Sequence, residues 1–323
     1  MSLASYVHAM GRGPGRGRSL TQDEAEDAMR QILAGEAAPE AVGALLMLMR
    51  YRGESPDEVV GFVNAIRATL TPWPGEKPGL DWPSYAAGRT RSVPLFLLAA
   101  KLVARAGVTV LVHGWNSHQN PVASVRSALD ICGIPQADGL ATGARLLEEG
   151  GLAYLPLEAI SPRALDLLKL RDVLGLRSAV NTVLRVLNPA GATASVQGVF
   201  HPPYRELQAD AGALLGQRNL TVIKGGGGEF ERHPSKEMEL FGLRDGTPWQ
   251  SSAAPIWDET RRLGDSDLHP ADLARLWDGS LTDPFAEAVV IGTAALALDT
   301  VGKPDAARLA ADLWANRHQA QAA

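Results

Sequence analysis

The chain has 323 residues, 46% hydrophobic and 21% charged, with 33 Gly, 21 Pro and a formal net charge of −5. That length suggests two domains, or one large and one small, able to bury a core without covalent staples. The acidic balance lends nothing to nucleic-acid binding, which has to rest on a local basic patch, and the single cysteine, Cys132, excludes an internal disulfide and fits a reducing compartment.

The first 70 residues read as three helices, preceded by the arginine-rich loop GRGPGRGR (Gly11 to Arg18) and by no apolar secretion signal. Thr21 and Glu24 form a capping-box pattern ahead of Ala25, Met29, Ile32 and Leu33, and Gly35 ends that helix. Val42, Leu45, Leu46 and Met49 mark a second. Ser55-Pro56-Asp57-Glu58 opens a third, with Val59, Phe62, Val63, Ile66 and Leu70 as its buried stripe. Thr71 to Ser84, with four prolines and two glycines, reads as a linker.

Beyond it, strand patterns alternate with helical ones. VTVLVH at Val108, GLAYLPL at Gly151, SVQGVF at Ser195 and LTVIKG at Leu220 are strand candidates, with helices near 122–132, after Ser161-Pro162 and over 203–215. This alternation predicts an α/β fold: a mostly parallel sheet flanked by helices, behind a small N-terminal helical domain. The expected division is 1–72 for the helical domain and 73–323 for the α/β domain, which lends the first one further helix. AEAVVIGTAALALDT (Ala286 to Thr300) is too short to span a bilayer comfortably and reads as a core helix, so the cytoplasm is the expected location.

Several segments carry residues suited to ligand chemistry. KGGGGEFERHPSK (Lys224 to Lys236) follows a strand candidate, so its glycines fall at the carboxyl edge of the sheet, where open α/β folds bind ligands. There the amides of Gly225 and Gly226 can face a phosphate, Lys224, Arg232 and Lys236 add charge, and Glu229 or Glu231 can hold hydrated magnesium. No Lys-Ser/Thr closes it as in a P-loop, and a flexible surface loop is the plainer alternative. Arg12, Arg16 and Arg18 suit phosphate contacts, or belong to a solvated loop.

In VHGWNSHQNP, His113 and Gly114 sit at a strand end and suit substrate contact. His113 and His118 are wrongly spaced for a metal on one helix face, and Trp115 is a stacking platform or a half-buried aromatic. LKLRDVLGLRSAVNTVLRVLNPAG (Leu168 to Gly191) reads as a helix, a glycine break and a second helix stopped at Asn188-Pro189. Its Lys169, Arg171, Arg177 and Arg185 are either solvated faces or a turn built to meet an anion. Cys132 lies in an apolar helix stripe and is expected to be inert.

Taken together, these segments resemble the anthranilate phosphoribosyltransferase and nucleoside phosphorylase superfamily. LTQDEAEDAMRQILAGEAAPEAVGALLMLMRYRGESPDEVVGF is similar to its N-terminal helical domain, VHGWN to its K-H-G-N turn, and LRDVLGLRSAVNTVLRVLNPAG to its R-R-x-L-G-x-R-T-x-F-N-x-L-G-P-L-x-N-P signature. The resemblance implies a cleft between the two domains, dimerisation through the helical one, and Arg171, Arg177, Asn181 and Asn116 at the substrate. Departures concentrate where the transferases grip magnesium diphosphate. Tyr85, Ala86 and Ala87 replace the glycines of G-T-G-G-D, Pro94 to Leu97 replace N-x-S-T, Val112 replaces the lysine of K-H-G-N, and Phe230 disrupts the D-E metal pair.

These losses look like the YbiB-type branch, which resemblance marks as a nucleic-acid binder. The leading expectation is therefore a cytoplasmic homodimer that binds single-stranded or irregular DNA without strong sequence preference and requires no cofactor. Arg12, Arg16, Arg18, Lys224, Gly225, Gly226, Arg232, Lys236 and Arg205 would meet its phosphates. The alternative is a phosphoribosyltransferase acting on a phosphorylated or nucleoside-like substrate, with His113 and Arg171 as candidate catalytic groups and magnesium held at Glu229. Arg89 and Arg91 pointing into the cleft would favour the enzyme; Tyr85 and Phe96 filling it would count against it.

Overall fold

The computed structural model describes residues 2–13, 15–86, 92–115, 121–259, 261–265 and 267–318. It opens with four helices: α1 (Leu3–Gly11), α2 (Gln22–Ala34), α3 (Pro39–Arg52) and α4 (Pro56–Arg67). Capping boxes start two of them. Thr21 Oγ1 accepts from the Glu24 amide while Glu24 accepts from the Thr21 amide, and Ser55 and Glu58 repeat the exchange. Buried Glu58 also accepts from the Leu20 amide at 2.8 Å, tying the entry of α2 to α4. Sequence reading missed α1, although Leu3, Tyr6 and Met10 mark a helical face and are all buried. Tyr6 fastens it by donating to Asp27 Oδ2 at 2.7 Å.

The remainder runs β1 (Leu80–Ser84), α5 (Phe96–Arg105), β2 (Val110–Gly114), α6 (Val125–Cys132), α7 (Leu140–Gly150) and β3 (Leu152–Pro156). Four helices follow: α8 (Leu157–Ile160), α9 (Pro162–Lys169), α10 (Arg171–Leu174) and α11 (Val180–Val186). Then come β4 (Ala194–Val199), α12 (Tyr204–Leu214), β5 (Asn219–Lys224), β6 (Met238–Arg244) and β7 (Thr247–Ala253). Helices α13 (Asp272–Asp278), α14 (Pro284–Thr300) and α15 (Ala306–Ala315) close the chain. The seven strands form one sheet in the order β3-β2-β1-β4-β5-β6-β7, parallel from β3 through β5 and antiparallel beyond.

Both faces of the sheet are covered, and strand alternation divides its side chains between two cores. Val110, Val112, Leu152 and Tyr154 share a core with residues of α5 and α14; Leu111, Ala153 and Leu155 share one with residues of α1–α4, α8, α9 and α11. Cys132 lies in the first core, where burial pushes its thiol up to about 12, as an inert cysteine requires. Among the described residues no helix is long and apolar enough to cross a membrane.

Two elements correct the sequence reading. The expected linker ends in β1, a central strand despite Pro83. The contradiction resolves in the ladder: β1 pairs with β4 only at Leu80 and Asp81, so pairing on that side has ended before the residue without an N–H. The hairpin β6–β7 was not foreseen, although Asp245-Gly246, both at positive φ, is a two-residue turn of the type that joins antiparallel strands.

Candidate ligand-binding cleft

Parallel strands β1, β2, β4 and β5 deliver their carboxyl ends to one edge, which faces the helical bundle. The first group there is a buried chain. His113 lies between Asp81, whose Oδ1 approaches Nε2 at 3.0 Å, and the Tyr85 hydroxyl, 2.9 Å from Nδ1. Asp81 in turn accepts from Ser195 Oγ at 2.8 Å. Both ring nitrogens of buried His113 face buried partners, so against expectation it positions the ends of β1 and β2 and offers no free nitrogen to a substrate. Gly114 is structural too: a Cβ there would lie 2.0 Å from the Ser84 carbonyl oxygen. Asn116, His118, Arg89 and Arg91 lie outside the described residues.

The second group is the loop after β5. Its glycine amides do not form an open phosphate cradle. Gly225 donates to the Val199 carbonyl, Gly226 to that of Glu231 and Gly228 to that of Gly225. The carboxylates turn inward as well. Glu229 Oε1 accepts from Ser84 Oγ at 3.0 Å and from the Ala86 amide at 3.1 Å, at the end of β1. Glu231 Oε2 accepts from the Phe96 amide at 3.0 Å, at the start of α5. Phe230 between them packs edge-on against Trp82 in the core. Tyr85 and Phe96 are both buried, Phe96 stacked on Trp82.

A third group forms an open cavity of about 280 Å³ between the α10–α11 turn, the end of α3 and the start of α12. Gly175, at φ 71°, and the following residues make the break that lets Arg171 and Arg177 reach the same space from either side of it. Arg50, Arg185, Asn181 and Gln208 line it too. Burial lowers the Arg177 pKa, and the nearby charges of Arg171 and Arg50 lower it further. Arg185 is fully enclosed and lowered to about 10 by burial; it donates to the Asn181 and Tyr85 carbonyls. Arg50 and Glu54 hold the Tyr204 hydroxyl at 2.9 and 2.7 Å, joining the bundle to α12. The described lining of this cavity is rich in arginine, with Glu54 as its carboxylate.

Comparison with known proteins places this geometry. Residues 13–70 match the glycosyl transferase family helical bundle domain. The chain is 30% identical over 305 residues to the anthranilate phosphoribosyltransferase of Gluconobacter oxydans, covering 90% of this chain and 82% of that one. It is 29% identical over 314 residues to that of Roseiflexus sp., covering 95% and 90%.

The chain belongs to the anthranilate phosphoribosyltransferase superfamily.

Its fold superposes on the Thermus thermophilus anthranilate phosphoribosyltransferase with a TM-score of 0.81 at 25% identity, over 98% of this chain and 95% of that one. The Saccharomyces cerevisiae enzyme, solved with PRPP and Mg, gives 0.79 at 15% identity, over 98% and 94%. Amides at the end of β1 and the start of α5 are occupied by the Glu229 and Glu231 carboxylates. Among the described residues no cluster of three or more His, Cys, Asp or Glu is arranged for a metal ion.

The remaining basic residues divide. Arg205, Lys224, Gly225, Gly226 and Lys236 meet around a second cavity of about 740 Å³ beside the β6–β7 hairpin. Charge there is mixed: Arg205 pairs with Glu239 at 2.6 Å and lies over the Phe241 ring, and Glu237 is adjacent. Arg232 is not a phosphate contact; it is 7% exposed, donates to the Ala254 carbonyl and lies against the Gly292 backbone position on α14. Arg18 is engaged by Glu24 in a two-pronged pair at 2.6 Å, while Arg12 and Arg16 are exposed. Sequence reading missed Arg50, Gln208 and Tyr204, which come from helices whose local patterns look purely structural.

Proposed function

We propose that this chain is a binding member of its superfamily, a cytoplasmic, YbiB-like homodimer that holds nucleic acid by its phosphates in the arginine cleft. The observation that carries this is the pairing of two facts at one edge of the sheet. Carboxylates of the chain itself fill the amide positions suited to a diphosphate, while Arg171 and Arg177 face the neighbouring cavity with no carboxylate partner among the described residues. The cavity of Arg205, Lys224 and Lys236 adjoins it through the shared segment 199–205 and extends the path for a strand.

Fluorescence anisotropy of a labelled single-stranded oligonucleotide, titrated at several salt concentrations, tests the proposal. With phosphates at Arg50, Arg171, Arg177, Lys224 and Lys236, log K should fall against log salt with a slope of about −3.5. Arg171→Ala together with Arg177→Ala should lower both affinity and slope. No saturable binding at low salt refutes it.

A second reading, phosphoribosyl transfer, has its own support: the curated relatives are named anthranilate phosphoribosyltransferases, and the comparisons weigh towards it more than towards DNA binding. The arginine turn suits an acidic aromatic acceptor. Magnesium would then require Glu229 to release Ser84 and Ala86. Product formation from anthranilate, PRPP and Mg that disappears in Arg171→Ala would establish this function and displace the first.

A further inference from the structure

The cavity at the α10–α11 turn holds more than arginines. Gln208, on α12, is 0% exposed and lines the cavity, yet neither its amide nitrogen nor its amide oxygen has a hydrogen-bond partner among the described residues. A buried primary amide left with both its donor and its acceptor unmatched is costly, and native proteins rarely tolerate it without a role. One nitrogen of Arg171, Nη1, is likewise buried and unmatched. Phe200, directly after β4, is 46% exposed, an unusual position for a large apolar ring, and lines the same cavity.

These three features belong together chemically. A carboxamide presents one donor and one acceptor side by side, which matches the edge of a nucleobase in two parallel hydrogen bonds. An exposed aromatic ring offers a face on which any base can stack. Arginines paired with no carboxylate suit a phosphate. With about 280 Å³ available, there is room for one small ligand unit and none for a duplex.

We propose that this cavity receives a single unpaired nucleotide, its base stacked on Phe200 with its edge on the Gln208 amide and its phosphate on Arg171 and Arg177. This rests on the nucleic-acid function proposed above and adds to it a base preference at one position. Binding along the rest of the strand is through phosphates and remains indifferent to sequence.

The test uses the full chain and labelled homopolymeric deoxyoligonucleotides of A, C and T, titrated by anisotropy at fixed low salt. Wild-type protein should discriminate among them by roughly five- to a hundredfold, the span that one two-pronged base contact supplies. Gln208→Met keeps length and removes both unmatched polar groups, so it should fold with an unchanged or higher urea midpoint. In that variant the three affinities should converge to within about twofold while binding persists, the stacking and phosphate contacts being intact. Phe200→Ala should weaken all three by roughly fivefold or more, since stacking is sequence-tolerant. Gln208→Met with the wild-type order and ratio of affinities overturns the assignment of Gln208, as does a wild-type protein that binds all three equally; in both cases phosphate-held binding still stands. No binding of any oligonucleotide by wild-type protein overturns the nucleic-acid function and this inference together.

Discussion

Replacing Glu231 by alanine probes whether a carboxylate has taken the place of an anion at the start of α5. Glu231 is 0% exposed, and its Oε2 accepts from the Phe96 amide, one of the N-terminal donors that α5 cannot satisfy internally. Phe96, Leu97 and Leu98 are each 0% exposed, so water cannot replace the lost acceptor. A buried donor left unmatched costs about 1–3 kcal/mol. Removing a negative charge from a helix N-terminus adds about 0.3–1 kcal/mol, and up to about 2 where partly buried. Glu231→Ala should therefore lose about 3 kcal/mol, and Glu231→Gln, which keeps an acceptor, about 1 kcal/mol.

Urea unfolding followed by tryptophan fluorescence measures both. A second arm exploits the vacated position: sulfate at ten times its dissociation constant would return about 1.4 kcal/mol to Glu231→Ala by binding only the folded state. Sulfate also strengthens folding non-specifically, so the quantity to compare is the gain of the variant beyond that of wild type. Glu231→Ala within about 0.5 kcal/mol of wild type, the spread of ordinary surface changes, would refute the reasoning.

Three further outcomes follow from the same geometry. Tyr85→Phe strips His113 Nδ1 of its buried partner and should cost about 1–3 kcal/mol in urea unfolding; an unchanged midpoint would show the hydroxyl to be dispensable. Gly198→Ala would place a Cβ 2.0 Å from the Glu229 carbonyl carbon, backbone against strand, and should cost about 3 kcal/mol or leave the protein insoluble; recovery of soluble protein with wild-type stability would contradict the packing. The Tyr6–Asp27 contact sets stability at both pH extremes. Hydrogen bonding from Tyr6 holds Asp27 down to about 2, so its contribution is complete above the usual 3.8 and is lost as pH falls through 2; burial and the same contact raise Tyr6 to about 12, so that contribution is complete below 10 and lost as pH rises through 12. Tyr6→Phe should flatten the alkaline loss and weaken the acid one in melting temperatures taken across pH, and an unaltered profile would assign the linkage elsewhere.

Much of the fold was legible because its determinants are local. Thr21, Ser55 and Ser161 each cap the helix their patterns announce, and Gly35 and Gly175 end or break helices at positive φ. A capping box acts within four residues and a strand alternates with period two, so both can be read without knowing what packs on them. The β1 segment was missed because Pro83 argues against a central strand unless it is known that the pairing partner has already departed.

The site was legible only in part, for the opposite reason. The arginines of the 168–191 segment were open between solvated helix faces and a turn meeting an anion, and resemblance added Asn181; Arg171, Arg177 and Asn181 line the cleft together. Whether a glutamate points at solvent, at a metal or at a backbone amide depends on what lies opposite it, and Glu229 and Glu231 find their amides 143 and 135 residues away. His113 likewise looked available at a strand end until Asp81 and Tyr85 enclosed it. Arg50 and Tyr204 meet across 154 residues, and Gln208 lies on a helix that nothing in its own pattern distinguishes. Short-range chemistry in the sequence determined many of the helices, four of the five parallel strands and the glycine break before α11. Tertiary packing alone decided which charged groups satisfy one another and which are left facing the cleft, because burial and long-range neighbours set the energy of a charge.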